Sequence, residues 1–331
     1  MSRRARTLNT RSLPRAGLDP ERRNALLLIG AVSLAVGFAI ALVAYGYYND
    51  RIAPRHETML KVGNREFDYA FLERRARAEF GLGTFNARAI TQGIAATLAL
   101  IEREEVVRQT ARQSGLSASD AEVDTQIREM LGLKEDASRD DFAARYRDEL
   151  LRIHLSPAEY RDIALAELLE QKFQSQIEAG IPAQTDFVSL RIIQVETQTE
   201  AADAKARVEK DEYGGLGTSF GVAASQLSAH ASSANGGELG WVPRGALTDE
   251  VEQVAFSVTG LSDAIETDAG FFLLYVRGTE VRDVSEVDRL NIVQQSLREM
   301  LNKTRVEAGS QISASEEQLQ RLAVSLARSL G

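Results

Sequence analysis

The spacing of apolar residues predicts α-helices over most of residues 57–181. Apolar side chains recur there every three or four positions, which places them on one face of a helix. The longest stretch ends at Gly115, a typical helix stop, and Ser119 and Ser156 begin capping boxes that start two further helices. The stripe of the longest stretch, over residues 86–115, consists of Ile90, Ile94, Leu98 and Ile101.

The pattern changes to β-type alternation after Pro182. Residues 187–197 alternate with period two, and residues 261–278 read as two strands joined by a turn. A helix, a glycine-rich stretch and a short helix lie between these strands. Helical spacing returns at Ser285, with two stripes: Leu290, Val293, Leu297 and Leu301, then Leu319, Leu322, Leu326 and Leu330.

These patterns predict an α+β fold with four parts. Residues 1–24 form a basic tail, and residues 25–48 form a single transmembrane helix. Residues 57–181 and 283–331 together form one helical domain. Residues 182–282 form a small α/β module inserted into that helical domain.

Residues 25–48 carry no charged side chain and are long enough to cross a bilayer. At about 1.5 Å per residue they span about 36 Å, against a hydrocarbon core of about 30 Å. The run is longer than the apolar region of a cleaved signal peptide, and its closing tyrosines are typical of a membrane interface. The arginines of residues 1–24 predict an N-terminus inside the cell and residues 50–331 outside it. Small residues four apart leave self-association through this helix open: Ser33, Gly37 and Ala41.

Charge and cysteine content exclude several classes of protein. The chain of 331 residues has a net charge of −9, but residues 1–24 contain seven arginines and two acidic residues. The remainder is acidic, which argues against nucleic-acid binding. Without cysteine there is no disulfide, thiolate metal site or cysteine nucleophile. The histidines are too scattered for a metal site, so we expect neither metal nor cofactor: His56, His154 and His230.

The stretch GGELGW at residues 236–241 places three glycines around the only tryptophan of the chain, Trp241. Gly-Gly permits a tight turn, and the indole is a large apolar group that needs cover. The sequences that surround it are RIIQV, SAHASSANGGELGWVPRGAL, VEQVAFSV and ETDAGFFLLYV. Their order resembles a parvulin-type peptidyl-prolyl isomerase domain. The helical flanks resemble those of foldases of the SurA, PrsA and PpiD kind, so the resemblance covers about residues 57–305.

This resemblance implies an apolar pocket for a proline ring. The Gly236-Gly237 turn would lead into one wall of the pocket, with Leu239 pointing inward. Leu247 and Val251 take further pocket positions, and Val251 is smaller than the phenylalanine usual in the family. The predicted substrate-binding set is Ile192, Leu239, Leu247, Val251, Phe256 and Phe272. Plain core packing is the alternative interpretation of each.

The polar centre departs from the family pattern. Active parvulins have two histidines in the floor of the site, and these positions are Ile192 and Phe272 here. His230 falls where the family has cysteine or aspartate, and Thr267 is the family threonine before the last turn. These two are the candidate catalytic residues. The alternatives are a solvated histidine and a turn-forming threonine.

The sequence therefore predicts a membrane-anchored extracytoplasmic foldase. It would bind unfolded or newly translocated polypeptides, with prolyl isomerisation weak or absent. A competent parvulin-type isomerase with an atypical site is one alternative. A non-catalytic adaptor of a translocation or envelope complex is another.

Overall fold

The chain divides into two compact units, residues 1–57 with 68–70 and residues 58–67 with 71–331. A computed structural model describes residues 34, 36–43, 45, 53–85, 89–134 and 136–330. In the first unit residues 36–43 are helical, and the large apolar side chains described between Leu34 and Tyr45 are more than half exposed. Among the described residues no helix has the length and apolar character to cross a membrane. Most of the predicted span at residues 25–48 lies outside them.

A β-hairpin and a series of helices make up residues 58–180. The hairpin consists of β1 (Thr58–Val62) and β2 (Arg65–Asp68). The helices are α1 (Tyr69–Leu82), α2 (Ile90–Ser114), α3 (Asp120–Met130), α4 (Arg139–Ile153) and α5 (Pro157–Gly180).

Capping interactions mark where several of these helices begin, and a left-handed glycine marks where one of them ends. The Ser119 hydroxyl accepts the Glu122 N–H at 3.4 Å, and the Glu122 carboxylate accepts the Ser119 N–H at 2.7 Å. Ser156 and Glu159 form the same capping box at the start of α5. At the end of α2, Gly115 adopts the left-handed conformation with φ of 72°. The two predicted capping boxes and the predicted helix stop are confirmed.

The last segments of the chain return to the helical part. These are α9 (Glu286–Glu307), β8 (Gln311–Ile312) and α10 (Glu316–Leu330). Helix α9 packs against α2 and α5, α10 packs against α2, and β8 pairs with β1 in antiparallel orientation. Five side chains of the two predicted stripes are buried: Val293, Leu297, Leu301, Leu322 and Leu326.

Leu290 departs from the predicted stripe, since it is 61% exposed. Near this end of α9, Ile292 packs with Phe187 and Val284 of the inserted module. Leu290 and Ile292 are separated by about 200° around a helix, so burying one side chain exposes the other. The apolar face of α9 therefore begins at Ile292.

The inserted module is an antiparallel sheet with helices on both faces. Its strand order is β4-β3-β7-β5, and β6 pairs with β7. Strands β3 and β7 pair from Gln184 opposite Asp283 to Val195 opposite Phe271. The elements are β3 (Gln184–Val195), α6 (Gln198–Glu209), α7 (Leu216–Leu227), β4 (Glu238–Pro243), α8 (Asp249–Ala255), β5 (Gly260–Leu261), β6 (Ile265–Thr267) and β7 (Gly270–Asp283).

Each face of this sheet has its own apolar core, because successive residues of a strand point to opposite sides. Ile193 and Leu273 pack under α6 and α7. Their neighbours Ile192 and Leu274 face α8 instead. The predicted substrate-binding residues belong to this second face.

Candidate functional site

The side chains predicted to form a proline pocket lie together on the α8 face of the sheet. Ile192 of β3 pairs with Leu274 of β7, so Phe272, two residues along β7, is its diagonal neighbour on the same face. Strand β4, helix α8 and the segments beside that helix supply the other members. One hydrophobic cluster contains all six predicted residues: Ile192, Leu239, Leu247, Val251, Phe256 and Phe272.

These residues divide into a buried floor and a half-buried surface. Ile192 and Val251 are each 3% exposed, so they support the surface from below. Leu239, Leu247 and Phe272 are half-buried and remain accessible to a ligand. The structure thus places Val251 in the core beneath the surface, where it offers a ligand little direct contact.

A stacked arginine covers Phe256. The Arg244 guanidinium carbon lies 3.9 Å from the Phe256 ring centroid, within the range of a cation–π contact. The same guanidinium lies 3.3 Å from the Asp186 carboxylate and 3.9 Å from that of Glu252. These contacts hold the loop between β4 and α8 against the sheet, and this loop carries Leu247. Phe256 therefore positions the apolar surface rather than forming its open part.

His230 caps the start of a 3₁₀ turn, Ala231–Asn235. Its Nδ1 accepts the Ser232 N–H at 3.1 Å and lies 2.8 Å from the Ser232 hydroxyl. Burial lowers the pKa of His230 below its usual value, so the ring is neutral at pH 7. Since Nδ1 accepts a hydrogen bond, Nε2 carries the proton. The structure gives His230 a local capping role, and its part in catalysis stays a prediction.

Thr267 shapes the turn that joins β6 to β7. Its hydroxyl donates to the Gly270 carbonyl at 3.0 Å and accepts the Ala269 N–H at 3.1 Å. Both hydrogen bonds stay within four residues of the chain, which is how a threonine stabilises a hairpin turn. A catalytic role for Thr267 also stays a prediction.

Gln194 is a polar residue of this region that the sequence analysis did not single out. It lies two residues after Ile192 on β3 and pairs with Phe272 of β7, so it belongs to the same face. Its side-chain amide donates to the Ala269 carbonyl at 2.9 Å, and its backbone N–H donates to the Ser228 hydroxyl at 3.0 Å. Gln194 thus links the segment before His230 to the Thr267 turn. The alternation of side chains along β3, with a period of two residues, was the sequence signal that could have placed Gln194 on the same face as Ile192.

The glycine pair at residues 236–237 lets the chain approach β3 closely. Gly237 has φ of 73°, and a Cβ added there would lie 2.4 Å from the Ile192 carbonyl oxygen. The Ile192 N–H donates to the Gly237 carbonyl at 2.9 Å. Only glycine fits this position without displacing β3.

Trp241 is 37% exposed. Its cover comes from a charged side chain. The Arg282 guanidinium carbon lies 4.5 Å from the Trp241 ring and 6.0 Å from the Phe187 ring. Strand alternation places Trp241 on the sheet face opposite the candidate site, which explains why the indole takes no part in that site.

A charged cluster holds the start of β4 against the sheet. The Glu238 carboxylate accepts a hydrogen bond from Arg191 at 2.9 Å and pairs with Arg277. Partial burial works to raise the pKa of Glu238, but the hydrogen bonds from both arginines outweigh it and hold that pKa below its usual value. The ionised carboxylate fixes the strand that carries Leu239.

No group of three or more metal-binding side chains occurs within the part of the chain that the structure describes. His154, for example, caps the end of α4 with a left-handed backbone, φ of 58°, far along the chain from His230. The candidate site itself offers apolar contact and, around it, amide, hydroxyl and imidazole groups.

Two protein-family models match the chain. Residues 20–174 match the SurA-like N-terminal domain, and residues 189–278 match the PPIC-type PPIase domain. The first range covers the helical part before β3, and the second covers the sheet that carries the candidate site.

Individual relatives match over part of their length. Chaperone SurA of Chromobacterium violaceum is 32% identical over 124 residues, which are 36% of this chain and 29% of SurA. Foldase protein PrsA of Oceanobacillus iheyensis is 29% identical over 137 residues, 37% of this chain and 44% of PrsA. The match thus spans less than half of either relative. A crystal structure of PrsA from Bacillus anthracis is 18% identical, with a TM-score of 0.37, over 69% of this chain and 94% of that one. This chain therefore joins a SurA-like N-terminal domain to a parvulin domain of the PPIC type.

Proposed function

We propose that this protein is a membrane-anchored extracytoplasmic foldase that holds unfolded polypeptides and accelerates prolyl isomerisation weakly or not at all. The observation that carries the proposal is the apolar character of the two positions at which active parvulins have histidine. Ile192 and Phe272, which replace the two histidines of active parvulins, both pack in the hydrophobic cluster under α8.

An apolar site favours binding of a polypeptide over catalysis of prolyl rotation. Rotation about a prolyl peptide bond has a barrier of about 20 kcal/mol, and an enzyme lowers it only through contacts that are stronger in the twisted state than in the planar one. Leu239, Leu247 and Phe272 offer apolar contact, which is similar for both states. Oriented polar groups would distinguish the two states.

The polar side chains around the site are already engaged locally. His230 bonds to Ser232, and Thr267 bonds within its own turn. Gln194 donates to the Ala269 carbonyl. A ligand would have to displace the hydrogen bonds of Thr267, and those of His230 and Gln194 hold the two side chains in orientations set by their own segments. Each of the three is therefore poorly placed to catalyse rotation.

The anchored location rests on the sequence of residues 25–48 and on what surrounds it. That run has no charge and follows a tail with seven arginines. The described apolar side chains from Leu34 to Tyr45 are exposed, as those of a lipid-facing helix would be. The arginine tail favours an N-terminus inside and the remainder of the chain outside. Clients at such a location would be polypeptides emerging from the membrane.

The deciding experiment measures both activities on the full-length chain in detergent. We expect it to suppress light scattering by a chemically denatured client enzyme. We also expect it to change the cis–trans exchange rate of a proline tetrapeptide, measured by NMR, very little. Phe272→His restores one family histidine and should raise the exchange rate about tenfold or more, because it adds an orienting hydrogen bond. Phe271→His, on the opposite face of β7, is the matched control and should not.

Two results would contradict the proposal. A large rate enhancement by the unmodified protein that disappears in His230→Ala or Thr267→Ala would favour a competent isomerase with an atypical site. If neither activity appears and one envelope complex co-purifies in constant ratio, the protein is an adaptor.

A further inference from the structure

A cavity of about 430 Å³ lies in the SurA-like helical part, lined by α1, α2 and α5. Its volume falls within the range of pockets that bind ligands in proteins. One part of the lining is apolar and includes Leu100, Val107 and Ile163. The other part carries four carboxylates and two guanidinium groups.

Both arginines of this lining are already neutralised by lining carboxylates. Arg75 Nη2 lies 3.0 Å from the Glu79 carboxylate and 2.5 Å from that of Glu104, and the Arg75 side chain is only 4% exposed. Arg103 donates two hydrogen bonds to Glu170, at 2.7 and 3.0 Å. Neither guanidinium is therefore available to attract an anion, and the cavity has an excess of negative charge.

Glu167 supplies part of that excess. It lines the cavity from α5, and its carboxylate receives a hydrogen bond from the neutral amide of Gln126. Desolvation raises the pKa of Glu167, and the nearby carboxylates of Glu170 and Glu129 add to the effect. Burial also raises the pKa of Glu104. Burial is the main cause of both shifts, and the positive charge near these carboxylates does not offset it.

We propose that this cavity accepts a lysine or arginine side chain of a bound polypeptide. The aliphatic stem would lie on the apolar part around Leu100 and Ile163, and the charged head would reach Glu167. Long basic side chains combine these two requirements, because their methylene stems cover apolar surface while the head stays polar. The inference rests on the proposed holding function and names the feature of the client that the helical part selects.

The arrangement favours a basic side chain over other cations. A metal ion would need at least three suitable ligands in one group, and no such group occurs among the described residues. A small inorganic cation would leave the apolar part of a 430 Å³ cavity without a partner. A lysine or arginine of an extended segment satisfies both parts of the lining. Its methylene stem and apolar neighbours cover the apolar part, and its charge pairs with a carboxylate.

The test compares two labelled peptides that differ only in charge. One has the core Leu-Ala-Lys-Ala-Leu, and in the other norleucine replaces lysine and keeps the aliphatic stem. Binding to the full-length protein in detergent is followed by fluorescence anisotropy. We expect the lysine peptide to bind about threefold more tightly, since an ion pair with the solvent-exposed Glu167 carboxylate adds to the apolar contact.

Variants of Glu167 test whether the difference in affinity between the two peptides arises in the cavity. Glu167→Gln should weaken binding of the lysine peptide and leave the norleucine peptide unchanged. Glu167→Lys places a cation on the cavity lining and should remove the preference altogether. Glu178→Gln is the matched control, because Glu178 is an exposed carboxylate of the same helix outside the cavity. Thermal unfolding of each variant confirms that it is folded.

Equal affinity for the two peptides would overturn the inference while leaving the holding function intact. The same conclusion follows if the lysine preference persists in Glu167→Lys. If neither peptide binds and the client enzyme aggregates freely, the holding function and the inference fail together.

Discussion

Gly237 shows how strongly a single position can be constrained by a neighbouring backbone. Alanine at this position would destabilise the fold in two ways. Its backbone would have to adopt the left-handed conformation, and its Cβ would lie 2.4 Å from the Ile192 carbonyl oxygen. Gly240 has nearly the same φ, 72°, but nothing lies within 4 Å of an added Cβ. We expect Gly240→Ala to lower the free energy of unfolding by about 1–2 kcal/mol from strain alone. Gly237→Ala should cost about 1–3 kcal/mol more, because β3 has to move.

Denaturant unfolding followed by circular dichroism would measure both glycine variants. Equal losses in the two would mean that β3 accommodates the methyl group without cost, contrary to this expectation.

Glu122 provides a test of how the helical part responds to acid. A hydrogen bond from Lys172, together with those from Ser119, lowers the pKa of Glu122 to about 2 in the folded state. The unfolded value is close to 4.5. A group with a lowered folded pKa stabilises the protein above its unfolded pKa and loses that contribution as the pH falls through the folded value.

Glu122→Gln should therefore lower the free energy of unfolding at pH 7, and the deficit should shrink between about pH 4.5 and 2. Unfolding curves of both proteins across this range provide the measurement. A deficit that does not change with pH would show that the carboxylate charge is not involved.

Residue identities predicted the members of the apolar site but not their individual roles. Ile192, Leu239, Leu247 and Phe272 were predicted through a family resemblance, and the fold does bring them together in one cluster. Gln194 was missed because its role depends on its register opposite Phe272. The indole of Trp241 is covered by a cation–π contact with Arg282, which no local pattern reveals.

At the scale of elements, α10 offers a matched pair of substitutions. Leu326 is fully buried, whereas Val324, two residues earlier on the same helix, is 52% exposed. Leu326→Ala should lower the free energy of unfolding by about 2–5 kcal/mol, because it removes packed methyl groups and leaves a cavity. Val324→Ala should change it by less than about 0.5 kcal/mol.

Thermal and denaturant unfolding of the two α10 variants would check this difference. Similar small effects at both positions would mean that α10 contributes little to the stability of the helical part.

Helices with clear start and stop signals were predicted well, and glycine-rich ones were not. The capping boxes at Ser119 and Ser156 placed α3 and α5 at their observed starts. Helix α7 was missed because its first residues follow two glycines and Gly217 and Gly221 interrupt its pattern. Packing of Phe220 against the sheet stabilises α7, and this tertiary contact is not visible in the local sequence.

At the scale of the whole molecule, the proposed anchor would determine where the protein works. The uncharged run at residues 25–48 leads us to expect full-length protein in the membrane fraction after a carbonate wash. Protease added from outside should digest the chain beyond residue 50. Deleting residues 25–48 should release the protein into the soluble fraction. Recovery of a soluble mature chain that begins after Tyr45 would identify the segment as a cleaved signal instead.

The pairing of β3 with β7 along their whole length brings the two connections of the parvulin domain side by side. Gln184 lies opposite Asp283, and the Val284 N–H donates to the Ala183 carbonyl at 2.9 Å. Adjacent antiparallel strands are only about 5 Å apart, so a turn of a few residues could join Pro182 to Ser285 directly. The parvulin domain is therefore an excisable module, and the SurA-like part should remain one continuous chain able to fold after its removal. Loss of the domain in the course of evolution would need a single in-frame deletion.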